Sequence, residues 1–264
     1  MTDQKAKIDD SISIDGKVGE VQTENDPYLE KIDFKSFRDA DDLETAISVQ
    51  WHHSMSRSLY LSTVLEQSEL APLFAGAQWA GTRVWHAAIA MIEYLVDNHK
   101  DILSSPDSRL LELGCGLGVP GMIVHEIFQT KTYLTDQESI MSQLKKNIQS
   151  NFSRSTDIHA LPLSWSQEIH PLHEETDFDI LINCDCVYEP LYGESWKLLV
   201  HELNHVLEKN PKVVVLISVE RRNADGIDSF LSELESSPQI KQVERVWNDD
   251  DFQIEIYQAH CARL

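Results

Sequence analysis

The sequence predicts an α/β protein built on a doubly wound, mostly parallel seven-stranded sheet that closes in an antiparallel C-terminal hairpin. Three observations carry that expectation. From about residue 82 onward, short apolar runs alternate with segments of helical period. The run Val213–Val219 has no polar alternation, as befits a strand covered on both faces. Two strand-like runs then follow one another with no helix between them, Val243–Trp247 and Phe252–Gln258, the second alternating through Phe252, Ile254 and Ile256.

Taken in order, residues 1 to about 45 are polar and acidic with few aromatics, and read as a largely disordered tail before a domain over 46–264. Trp51, Leu59 and Leu61 suggest one or two short strands between Ile47 and Val64, with a loop holding Pro72 and Gly76 after them. Thr82–Val96 reads as a helix, because Trp85, Ile89, Ile92 and Val96 recur at spacings of three and four. Arg109–Leu113 is a strand ending in glycines. Pro120–Phe128 is a helix with proline in its first turn, where a missing N–H costs nothing. Thr132–Thr135 and Ile158–Leu161 are strands on either side of a helix over Glu138–Ser150, whose Ile140, Leu144 and Ile148 share one side. Phe178–Cys184 is a fourth strand, Leu191–Glu208 a long amphipathic helix and Asp225–Leu234 a shorter one.

Composition removes several classes of function. A formal charge of -22 and a pI near 4.7 argue against nucleic-acid binding, which needs a basic stripe over the phosphates; they suit a cationic partner such as a lysine-rich protein surface, or else serve only to keep the protein in solution. No apolar run approaches the roughly 20 residues of a membrane span. The N-terminal MTDQKAKIDD has no hydrophobic segment, so a cytoplasmic protein is expected, with the nucleus left open; a monomer is expected as its assembly. Cys115, Cys184, Cys186 and Cys261 form no CxxC pair and suit neither a zinc knuckle nor a disulfide framework.

The strongest local signal is Leu110-Leu-Glu-Leu-Gly-Cys-Gly-Leu-Gly118. Gly114 and Gly116 let the chain turn sharply off a strand and approach a ligand without a Cβ collision. Gly116-Leu-Gly-Val-Pro-Gly121 also satisfies GxGxxG, so a dinucleotide site has to be weighed. Glu112 weighs against it. An anion at that strand end opposes a pyrophosphate seated on the helix N-terminus, but suits a phosphate-free nucleoside with an ammonium and a sulfonium, which describes S-adenosylmethionine. Asp136, at the end of the second strand, is placed to accept ribose hydroxyls, a need both cofactors share.

These residues resemble the seven-strand lysine methyltransferases known as methyltransferase family 16, from about Gly81 to Leu264. Gly81-Thr-Arg-Val-Trp-His-Ala-Ala88 is similar to the family's helix leading into the core, whose tryptophan, here Trp85, packs on the cofactor. Glu112 through Gly118, with Gly114, Cys115 and Gly116 at the cofactor, resembles its ExGxGxG loop, and Asp136 its ribose-binding acid. Leu163-Ser-Trp165 is similar to its LxW element beside the adenine, although Ser166 stands where the family usually has glycine. Asn183-Cys-Asp-Cys-Val-Tyr188 resembles its acid-x-x-aromatic motif. The resemblance implies a Rossmann-like fold, S-adenosylmethionine as cofactor and a protein lysine as acceptor. It puts Cys184 against the cofactor and gives Asp185 and Tyr188 the catalytic positions facing the acceptor. Arginine or histidine acceptors, or a non-catalytic binding module, are the alternatives.

His201-Glu-Leu-Asn-His205 matches the HExxH zinc signature. Trp196, Leu199, Leu203, Val206 and Leu207 define the apolar face of that helix. At roughly 100° per residue both histidines fall on the opposite side, facing solvent. A catalytic zinc needs three protein ligands, and only Glu220 offers a third, so no metal is expected.

Overall fold

A computed structural model describes residues 31–38, 44–64 and 80–262 save 104, 106 and 167. The expected loop around Pro72 and Gly76 lies outside the described residues. Strands β1 (Ile32–Arg38), β2 (Glu44–Trp51) and β3 (Leu59–Ser62) form a small antiparallel sheet in that order. Ordered chain therefore begins before residue 46, where the domain was expected to start. In β1 the exposed Asp33 and Lys35 alternate with the buried Ile32 and half-buried Phe34, so half of a genuine strand reads as polar tail.

The main chain continues through α1 (His86–Asp97), α2 (His99–Ile102), β4 (Arg109–Leu113), α3 (Val119–Phe128), β5 (Lys131–Asp136), α4 (Glu138–Phe152), β6 (Ile158–Pro162) and α5 (Pro171–Glu175). It goes on through β7 (Ile180–Cys184), α6 (Glu189–Tyr192), α7 (Trp196–Lys209), β8 (Val214–Glu220), α8 (Ile227–Glu235), β9 (Ile240–Asp249) and β10 (Ile254–Cys261). Seven strands lie in the order β6-β5-β4-β7-β8-β10-β9, parallel except for β10, which runs antiparallel to both its neighbours. The expected antiparallel pair is present. Its second strand lies inside the sheet, and β9 forms the edge, which explains why β10 alternates buried positions while β9 is largely solvated.

Period-two alternation divides the core between two layers. Leu110, Ile180, Ile182 and Leu216 pack beneath α1, α3 and α4, while Leu111, Leu113, Leu181, Val215 and Ile217 face α7 and α8. The small sheet sits against α4, whose side chains complete it. Asn151 accepts the Tyr60 N–H at 2.9 Å and donates to the Tyr60 carbonyl at 2.8 Å. Asn147 does the same for Ser62, at 2.8 and 3.1 Å, and Gln143 adds a second donor to the Ser62 carbonyl. One helix face thus supplies the free edge of β3 with the partners another strand would give.

Two helix boundaries depart from expectation. The helix expected from Thr82 starts at His86, because Trp85 is extended (φ -92°, ψ 152°) and donates its indole N–H to the Ala80 carbonyl at 3.1 Å. The single helix expected over Leu191–Glu208 is broken at Gly193, whose φ of 58° and ψ of -148° suit glycine alone. Among the described residues no helix is long and apolar enough to cross a membrane.

Candidate active site

The strand order reverses between β4 and β7, and the carboxyl ends of strands at such a switch point border a crevice. The cavity here, about 370 Å³, sits at that place. Glu112, Gly114, Cys115 and Gly116 from β4 and its following turn line it, with Asp136 from β5. Trp85, Trp165, Cys184 and Asp185 complete the set of expected residues on its wall. Gly116 has φ +53°, and a Cβ there would lie 2.7 Å from the Gly81 carbonyl oxygen, so the turn closes against the backbone leading to Trp85.

The two acids do different work in the wall. Asp136 braces the turn: one oxygen accepts the Gly116 N–H at 2.7 Å and the other the Gln137 N–H at 2.7 Å. Burial raises its carboxyl above the usual range, and those two bonds oppose the rise. Glu112 is 1% exposed, and one of its oxygens accepts the Gly121 N–H of α3 at 2.8 Å. Desolvation pushes its carboxyl up to about 8, the Gly121 bond pulling it down and nearby Asp136 adding to the rise. Burial also pushes the thiols of Cys115, Cys184 and Cys186 upward, so they are neutral and weakly nucleophilic.

Asp185 follows β7 in a left-handed conformation (φ 56°), with its N–H donating to the Ser218 carbonyl at 2.8 Å. Its carboxylate accepts the Glu220 N–H at 3.2 Å and two bonds from Arg222, at 3.1 and 2.6 Å. Tyr188 does not line the cavity. The Arg222 guanidinium lies over its ring at 5.3 Å and over the Trp85 ring at 5.4 Å, and so stands between Tyr188 and the Trp85 wall of the cavity.

Sequence reasoning missed Arg222 and Tyr192. Tyr192 lines the cavity, and burial raises its phenol. It faces the cavity because the chain breaks at Gly193, directly after it. In the HExxH segment His201 is exposed as expected, whereas His205 is half-buried. Glu202 points inward and pairs with the buried His173. Glu220 pairs with Arg222 at 2.9 Å. Among the described residues no group of three or more His, Cys, Asp or Glu is arranged to hold a metal ion.

Comparison with known proteins adds a family. Residues 65–237 match the family model described as lysine methyltransferase. The chain is 35% identical over 161 residues to secreted RxLR effector protein 48 of Plasmopara viticola, an alignment covering 56% of this chain and 82% of that protein. It is 27% identical over 215 residues to EEF1A lysine methyltransferase 3 of Xenopus tropicalis, covering 76% of this chain and 88% of that protein. Among solved structures, the delta-N METTL16 methyltransferase domain superimposes with a TM-score of 0.52 at 12% identity, covering 67% of this chain and 83% of that one, a likeness of fold alone.

Proposed function

The chain belongs to the lysine methyltransferase family, and from that premise we propose that Glu112 and Asp136 hold S-adenosylmethionine while Asp185 presents a protein lysine to it. One observation carries the assignment of residues: both acids and Asp185 open onto the same cavity, around a turn free of side chains at Gly114 and Gly116. The donor set fits the cofactor. Glu112, buried and raised to about 8, matches an ammonium, and Asp136 at the β5 end matches ribose hydroxyls. When bound, S-adenosylmethionine supplies a methyl group on a cationic sulfur.

The acceptor amine has an ordinary pKa of about 10.4 and must shed its proton before it can attack. Burial near a second positive charge favours the neutral amine. Asp185 aligns that amine, Tyr188 and Trp85 offer aromatic faces to the lysine stem and head, and Trp165 excludes water beside the adenine. The net charge of -22 supports a lysine-rich protein surface as the partner and speaks against nucleic acid. Elongation factor 1A, which the Xenopus relative's name gives as that protein's substrate, is the first defined substrate to try.

Calorimetric titration should give binding of S-adenosylhomocysteine and none of NAD; the reverse would overturn the cofactor assignment. Asp185→Ala should keep that binding while methylation of elongation factor 1A, or of a hypomethylated lysate mapped by mass spectrometry, falls by about 100-fold or more. Undiminished turnover would remove Asp185 from the mechanism.

A further inference from the structure

Arg222 occupies an unusual setting. Its guanidinium makes two bonds to Asp185, reaches Glu220 at 2.9 Å, and lies between the faces of Trp85 and Tyr188. Two carboxylates and two aromatic faces are what a single alkyl cation seeks when it leaves water. That is also the surrounding a target lysine would need on its way to Asp185, and it is already filled by a side chain of the same molecule.

The Asp185 side chain is only 2% exposed, and both its oxygens are engaged. A carboxylate so buried is costly without a cation beside it. Taking Asp185 as the acceptor's anchor, as proposed above, we propose that Arg222 is the gate of the acceptor corridor, holding the place of the target lysine until that lysine displaces it. One cation is exchanged for another, so the buried carboxylate is never left alone, and the swap requires far less than opening an empty charged slot. The backbone need not move. The Arg222 N–H is tied to the Asp225 carboxylate at 2.9 Å, and the Arg222 side chain, 21% exposed, has solvent to swing into.

Arg222→Ala empties the corridor, and n-butylammonium, with the stem and head of lysine, is the probe. With S-adenosylhomocysteine saturating, the variant should bind n-butylammonium roughly tenfold or more tighter than the wild type, in keeping with a desolvated cation between aromatic faces. Ethylguanidinium should compete for the same place. Adding Asp185→Asn to the variant should abolish the gain. A folded Arg222→Ala protein that binds the amine no tighter than the wild type overturns the gate. The wild type's own titration with S-adenosylhomocysteine separates the two ideas: failure to bind it sinks the cofactor assignment, whereas binding without any gain for the amine sinks the gate alone. If the alanine variant does not fold, wild-type protein with Nε-labelled arginine gives the answer by magnetic resonance. The Arg222 signal, identified by its loss in Arg222→Lys, should shift as n-butylammonium is raised, and a signal that stays put refutes displacement.

Discussion

On the proposed assignment, Glu112 concentrates the chemistry of the cofactor half in one proton. With its carboxyl pushed up to about 8 by burial, it is mostly protonated at pH 7 while the cavity holds no cation. A ligand carrying an ammonium stabilises the carboxylate and drives that proton off. Below about pH 8 binding is thus coupled to proton release, so affinity should rise with pH and level off above it; calorimetry at pH 7 in buffers of different ionisation enthalpy would detect the released proton. Glu112→Gln keeps an acceptor for the Gly121 N–H but loses the charge. Its affinity should fall by about tenfold or more, and the pH slope should vanish. Stability has the opposite dependence. The folded carboxyl lies above its ordinary value of 4.5, so the stability it contributes is full below that value and is lost as pH rises through about 8. Without ligand, the glutamine variant should therefore melt at a higher temperature than the wild type at pH 8. Glu112 and Asp136 were legible in the sequence because a glycine turn fixes where a strand-end acid must point. Arg222 was not. Its place depends on how the chain after β8 folds back over Asp185, and no spacing encodes that.

At the scale of elements, the side-chain ladder from α4 to β3 joins the small sheet to the rest alongside the apolar core they share. Asn147 is 2% exposed and serves both the N–H and the carbonyl of Ser62. Asn147→Ala should cost about 1 kcal/mol, read from the urea midpoint, because it takes the partner from the half-buried Ser62 N–H. Lys145→Ala on the exposed side of the same helix should change it by less than about 0.5 kcal/mol. Most strands and helices of the main sheet were readable from their own apolar period, β4 to the residue, running Arg109–Leu113 as expected. The ladder was not, because Gln143, Asn147 and Asn151 look like an ordinary solvated helix face until the strand they serve is in view. The break at Gly193 was hidden for a related reason: Tyr192, Trp196 and Leu199 sit at spacings of four and three that a continuous helix would also satisfy.

For the molecule as a whole, the excess of acid bears on encounter more than on chemistry. A field from a net charge of -22 speeds the approach of a basic protein and is screened within about 8 Å at physiological salt. Raising salt should accordingly lower kcat/KM for a lysine-rich protein substrate several-fold, through association, while kcat holds steady. A salt-independent kcat/KM would show that the surface charge serves only to keep the protein in solution. The sheet order has a consequence of another kind. Strand β10 follows β9 in sequence yet is seated between β8 and β9. During synthesis, β8 and β9 emerge from the ribosome with a gap between them that no earlier segment fills, and the apolar Ile254 and Ile256 are the wedge that closes it. Until that wedge arrives, the nascent chain bares an open sheet edge, which makes it a natural client for holdase chaperones.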